Sequence, residues 1–186
     1  MQTSDPAIYA AGDCVEHYHR VLEKNSWIPL ATSASKGGRI AGENISGEPT
    51  VFPGILGTAV VKVFDYTMAV TGLTETQAKA SGQFGVDGSD VGSAVITSAD
   101  KVGYWPDVAP IKVKLVFECS TGRILGGQLV GKAGVNKRID IIAAAITARM
   151  SLTDVAMLDL SYAPPYSPTW DPIQVCANVA ARGAED

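Results

Sequence analysis

Apolar positions along the chain change period near residue 50. From Ala31 to Ile45, Ala34, Ile40, Ala41 and Ile45 recur at helical spacing, which predicts one helix. Thr32, Ser33 and Ser35 offer capping oxygens at its start, and Gly47 follows as a stop. Before it, Ile8, Tyr9, Ala10 and Ala11 form a short apolar run that ends at Gly12 and delivers the carboxylate of Asp13, as a buried strand and tight turn would. After Pro53 the spacing becomes strand-like. Strands are expected over 57–64, 91–97 and 111–119. Ser120-Thr121-Gly122-Arg123 is a turn, and 124–130 returns as a hairpin partner. Helices are expected from Thr74, over 135–150, over 154–158 and over 171–181, with Pro172 tolerated in the first turn of the last. Strands joined by hairpins, with helices grouped apart from them, predict an α+β fold with an antiparallel-rich sheet and helices packed on one face.

The boundary is placed near Gly47-Glu48-Pro49. It gives a first segment of residues 1–48, a second of 50–182 and a tail of 183–186.

Composition narrows the function classes. Lys+Arg 15 against Asp+Glu 19 gives a net charge of −4, with no basic stripe, so nucleic acid and anionic membranes are not expected partners. No apolar run is long enough to span a bilayer, and Met1 to Asp5 carries no signal-peptide pattern. Cys14, Cys119 and Cys176 are odd in number and lack redox or metal spacing, which predicts reduced thiols in a cytoplasmic protein. His17 and His19 form H-x-H without further ligands in register, so no metal site is expected.

Four strings carry chemistry. The first is T-S-D-P-A-I-Y-A-A-G-D, Thr3 to Asp13. The second is W-I-P-L-A-T-S-A-S-K-G-G-R-I-A-G-E-N, from Trp27. The third is G-K-A-G-V-N-K-R, Gly131 to Arg138, and the fourth is S-Y-A-P-P-Y-S, Ser161 to Ser167. In this order they resemble the carboxyl-terminal part of the FAD-dependent pyridine nucleotide-disulfide oxidoreductases, and most the coenzyme A-disulfide reductase and NADH oxidase branch. In that family the first string lies about two-thirds of the way along the polypeptide.

The resemblance implies a chain that is the back part of a larger flavoenzyme. Residues 1–48 would be the end of an FAD-binding domain, and 50–182 a dimerisation domain of a homodimer. Gly12 and Asp13 would meet the ribityl chain of FAD, and Ala31, Thr32, Ser33 and Ala34 its pyrimidine side through the helix start. Ser35 stands where the family usually has Asn, and Gly37 where it has a longer polar residue. Both changes are expected to loosen the helix start. The Tyr-His-Arg at 18–20 implies a loop near the subunit surface.

Tyr104 and Tyr162 would be substrate-side tyrosines in the partner's active site, with Pro164, Pro165 and Tyr166 in the substrate loop. Tyr166 replaces a usual Phe, and Trp105 and Asp107 also depart from the pattern. Lys132, Lys137 and Arg138 are candidates for the phosphates of coenzyme A. The parent would pass electrons from NAD(P)H through FAD to a disulfide, coenzyme A disulfide, oxygen or peroxide. The first FAD motif, the nicotinamide domain and the redox cysteine are expected upstream of Met1, so this chain alone is expected to have no reductase activity. The alternative is a stand-alone dimerisation module without redox activity.

Overall fold

The apolar run at 8–11 does not become a strand. In the computed structural model, which describes residues 1–183, Tyr9 forms a single antiparallel bridge to Gln2, and Ile8 is 53% exposed. A strand needs a paired neighbour for its backbone groups, and no other segment of the described residues pairs with this one. The segment belongs to the first of two compact units, Met1–Gly57. A short hairpin of β1 (His17–His19) and β2 (Lys24–Ser26) pairs His17 with Ser26 and His19 with Lys24. Helix α1 runs Ala31–Ile45, as its periodicity predicts.

The start of α1 differs from expectation. Its N-cap is Leu30, in extended conformation, and no side chain caps it. Thr32 and Ser33 lie inside the first turn, too late to cap, and the Ser33 hydroxyl donates backward to the Leu30 carbonyl at 2.8 Å. The amides of Ala31, Thr32 and Ser33 therefore have no partner within the helix. Ala34 already donates to the Leu30 carbonyl at 3.0 Å.

The division between units falls at Gly57/Thr58, so residues 50–57 lie with the first unit. Ile55 is held there by backbone bonds: its N–H donates to the Tyr18 carbonyl at 2.8 Å, and its carbonyl accepts from the Arg20 N–H at 3.0 Å.

In the second unit, β3 (Ala59–Val63), β4 (Tyr66–Gly72), β5 (Val91–Ala99), β6 (Pro110–Glu118) and β7 (Ile124–Gly131) form one antiparallel sheet of order β3-β4-β7-β6-β5. Strand β4 is absent from the sequence expectations. Its polar positions Thr67 and Thr71 hide the pattern, and long-range pairing with β7 completes it. Helices α2 (Glu75–Ala80), α3 (Val135–Thr147), α4 (Leu152–Ala156) and α5 (Pro172–Gly183) complete the unit. The short α2 is closed by a capping box between Thr74 and Gln77, and α4 by one between Ser151 and Asp154. Gly183 ends α5, and the rest of the expected tail, 184–186, lies outside the described residues.

Strand alternation gives the sheet two unlike faces. Ile111, Val113, Leu115 and Leu129 point to one face and are fully buried. There α3 and α5 pack: Ile142 lies over Gly127, Val135 over Gly131, and the Cys176 thiol reaches the Val113 carbonyl. Gly126 allows the closest approach, since a Cβ there would collide with the Leu73 carbonyl. The opposite face carries Val61, Val63, Tyr66, Met68 and Val130, all exposed. Helix α2 covers a corner of it, where Glu75 accepts from Lys114 and Ser93, each at 2.7 Å. The fold is the α+β arrangement expected: an antiparallel sheet with its two long helices on one face.

Candidate functional site

Two groups of the expected residues come together, one in each unit. In the first unit the chain turns at Gly12, whose φ is +89°, a conformation that favours glycine. A Cβ on Gly12 would stand 4.0 Å from the Ala34 Cβ, so the turn packs on the start of α1. Asp13 follows with its side chain exposed, while its carbonyl accepts from the Trp27 indole N–H at 2.7 Å. Gly12 thus packs against the first turn of α1, whose Ala31, Thr32 and Ser33 amides have no partner within the helix, and Asp13 follows it in the chain. Ala34 contributes packing, because its amide is used inside the helix. Gly37 is where close packing occurs: a Cβ there would stand 3.3 Å from the Met1 side chain and 3.5 Å from the His17 ring. Its absent side chain admits the 11–17 segment, and α1 remains regular through it.

His17 and His19 do not lie in a surface loop. Both are buried in the hairpin, because strand alternation turns them inward together and Tyr18 outward. His17 stacks edge-on against Phe52 at 5.0 Å, and its Nε2 has no hydrogen-bond partner. Burial, helped by the chain's amino terminus, lowers its pKa. His19 Nδ1 accepts from the N–H groups of Val21 and Leu22 at 3.3 and 3.2 Å. Burial lowers its pKa too, opposed by a bond to the Leu56 backbone. That pattern fixes a neutral imidazole with Nε2 as donor. Among the described residues no group of three His, Cys, Asp or Glu could hold a metal ion.

In the second unit Tyr104 and Tyr162 meet. They lie 58 positions apart in sequence, on the loops 100–109 and 157–171. Tyr162 is raised in pKa, first by desolvation and then by its hydrogen bond with Tyr104. Both stay open to solvent, at 77% and 46% exposure. Pro164 and Pro165 build a turn closed by the Tyr166 N–H donating to the Ala163 carbonyl at 2.9 Å, and Tyr166 projects outward. Asp107 adopts a φ of +59° in the Tyr104 loop, and Lys101 donates to its carbonyl at 3.3 Å.

Arg138 is not available for phosphate. Its side chain is fully buried, with Nε donating to both carboxylate oxygens of Asp171 at 3.1 and 3.0 Å. Lys132 is exposed, 3.5 Å from Asp65 and over the Tyr66 ring. The sequence held a signal for the buried pair: Arg138 lies on the apolar stripe of α3 with Val135, Ile139 and Ile142, where a charge must be partnered. All three cysteines are free. Burial pushes the Cys176 thiol up to about 11, which leaves it unreactive.

An antiparallel sheet backed by helices, with paired phenols on its loops, defines an interface-type α+β domain. The family described as the pyridine nucleotide-disulphide oxidoreductase dimerisation domain matches residues 58–172, and the chain belongs to this family. It is 45% identical over 179 residues to a CoA-dependent NAD(P)H sulfur oxidoreductase of Pyrococcus furiosus, covering 96% of this chain and 39% of that protein. It is 33% identical over 168 residues to a coenzyme A disulfide reductase of Staphylococcus aureus, covering 90% of this chain and 36% of that protein. Its fold matches an NAD-dependent persulfide reductase from A. fulgidus with a TM-score of 0.93 at 44% identity, over 100% of this chain and 34% of that one. The chain thus spans about two-fifths of the length of the curated relatives it matches. No helix among the described residues is long and apolar enough to cross a membrane.

Proposed function

We propose that this chain forms the dimerisation and substrate-side part of a homodimeric, flavin-dependent NAD(P)H reductase of coenzyme A-linked disulfides or persulfides. The carrying observation is the meeting of Tyr104 and Tyr162 on two separate loops, open to solvent. A phenol donates a hydrogen bond to a thiolate as it leaves a disulfide, and two phenols together distribute that charge. A phenol is protonated, and so a donor, at neutral pH, and desolvation moves Tyr162 further in that direction. The rigid turn at Pro164, Pro165 and Tyr166 holds Tyr162 with little ordering cost on binding. Coenzyme A-linked sulfur is favoured over oxygen or peroxide because three relatives carry persulfide, sulfur or coenzyme A disulfide in their names.

The residues of the first unit fit a flavin. Asp13 would accept from a ribityl hydroxyl, and the unpaired amides at the start of α1 would favour negative charge on the pyrimidine side. When bound, FAD supplies the transfer of two electrons from NAD(P)H to sulfur. Pairing of two copies is supported by the uncovered apolar side chains Val61, Val63, Tyr66 and Met68 on one sheet face. The three free thiols suit the reducing cytoplasm.

The test is a chimera of the Pyrococcus furiosus enzyme in which its matching region is replaced by this chain. We expect a dimer loaded with FAD that oxidises NAD(P)H in the presence of coenzyme A disulfide. Tyr162→Phe and Tyr104→Phe should each lower kcat by about 100-fold, the scale for loss of one charge-stabilising donor, with flavin content unchanged. A flavin-loaded dimer whose phenylalanine variants turn over at the parent rate would overturn the reading.

A further inference from the structure

The loops that carry Tyr104 and Tyr162 share one anchor. Arg138, on the first turns of α3, is 0% exposed, and each of its three guanidinium nitrogens donates. Nε donates to Asp171, at the end of the Tyr162 loop, at 3.0 and 3.1 Å. Nη2 donates to the Asp100 carbonyl at 3.0 Å, at the base of the Tyr104 loop, and to Ser167 Oγ at 3.4 Å. Nη1 donates to the Gly134 carbonyl of its own helix start at 3.2 Å.

The network continues on both sides. Ser167 is buried, and its hydroxyl donates to Asp171 at 3.0 Å. The Asp171 carboxylate also accepts from the Ile173 N–H at 3.0 Å, which ties the loop to α5. Asp100 closes its own loop: its Oδ1 accepts from the Ala109 N–H at 2.8 Å, and its N–H donates to the Ala109 carbonyl at 2.9 Å. Between these fixed bases, Tyr104 is four residues from Asp100, and Tyr162 is five from Ser167 across the two prolines.

We infer that Arg138 is the positioning residue of the tyrosine pair: its forked guanidinium fixes the Asp100 and Asp171 loop bases in one geometry and so brings the two phenols together. Planarity is what the position demands. A guanidinium reaches three directions in one plane, whereas a lysine ammonium could hold Asp171 but not Asp100 and Gly134 as well. A buried ion pair is weak evidence for stability by itself, and a role in fixing geometry accounts better for its placement between two exposed loops. The inference rests on the proposed function only for what the tyrosines do. Their mutual placement is testable without any turnover.

The experiment uses the 186-residue chain labelled with ¹³C-tyrosine and reads the nuclear Overhauser cross-peak between the Tyr104 and Tyr162 rings. The wild-type chain should show it. Arg138→Lys should lose it while the circular dichroism spectrum and the Ile111 and Leu115 methyl signals stay as in the wild type. Ser167→Ala leaves the Arg138–Asp171 pair in place and should weaken the cross-peak without unfolding. If Arg138→Lys fails to fold, Ser167→Ala decides alone. A full cross-peak in the folded variants, or none in the wild type, would overturn the inference. Loss of the cross-peak in a chain whose chimera ignores both tyrosines would instead count against the proposed function and leave the positioning role standing.

Discussion

The two units differ sharply in how they are held together. In Thr58–Gly183 a sheet buries Ile111, Val113, Leu115 and Leu129 under two helices, with a satisfied ion pair beside them. In Met1–Gly57 the buried apolar side chains are Val21, Ala41, Ile55 and Leu56, and His17 and His19 are buried beside Ser33 and Gly37. One unit closes its core with aliphatic side chains. The other closes it with imidazoles that must stay neutral. The first unit is governed by local hydrogen bonds and by proton concentration, and the second by apolar burial, because the smaller unit buries a smaller share of its surface.

The largest expected effect is on local opening. Amides of β6 and β7 should exchange with solvent at the rate of global unfolding, and those of β1 and β2 about a thousandfold or more faster, as differences of several kcal/mol in local stability imply. Equal protection in both hairpin and sheet would erase the comparison. The thiols give a second reading of it: Cys14 should react with a thiol reagent in the folded chain, and Cys176 only after unfolding.

Next in size is a core truncation. Leu115→Ala should cost about 2–5 kcal/mol and lower the melting of the second unit, followed by its far-ultraviolet signal. A cost below 1 kcal/mol would mean that the sheet face is less tightly packed than its full burial indicates.

Acid should separate the units. His17 and His19 have lowered pKa values in the folded chain, so the unfolded chain binds more protons in the window between those values and 6.5. Their contribution to stability is present above pH 6.5 and lost as pH falls through the lowered values. Limited proteolysis at pH 5 should therefore cut within residues 1–57 faster, relative to pH 7.5, while 58–183 stays intact. Parallel loss of both units would contradict this assignment. Phe52 and the amino terminus face His17, and the Leu56 carbonyl faces His19, so replacing both with Gln should flatten the pH dependence.

The smallest effect sharpens the second unit. Lys114, Lys79 and Ser93 hold the Glu75 carboxyl down to about 2. Its contribution is present above the ordinary 4.5 and lost as pH falls toward 2. Solvent reaches the pair, so Glu75→Gln should cost only about 1 kcal/mol at pH 7, and clearly less at pH 2, measured by urea unfolding.

Much of the sheet was legible because its strands advertise themselves. The run Ile111 to Leu115 alternates apolar residues with lysines before it closes on Val116 and Phe117, and Ser120 to Arg123 spells its turn. Strand β4 was not, since Tyr66 to Gly72 looks like a strand only beside β7. The reverse holds at Ile8 to Ala11, where an apolar run finds only the single bridge from Tyr9 to Gln2. The capping oxygens of α1 were misplaced because the helix starts at Ala31, with Leu30 as its N-cap, before the hydroxyls arrive. The tyrosines could be named from their motifs, but their contact could not, since 58 residues separate them.

Periodicity along the chain set where helices and most strands form, which face of each is apolar, and which motifs carry polar chemistry. These are local properties, set within one or two turns of chain. The tertiary structure alone decided that Arg138 turns inward to Asp171, that His17 and His19 become neutral core, and that Tyr104 meets Tyr162. Each of those outcomes depends on which distant groups exclude water from a polar atom and which replace its hydrogen bonds, and a linear pattern does not carry that information.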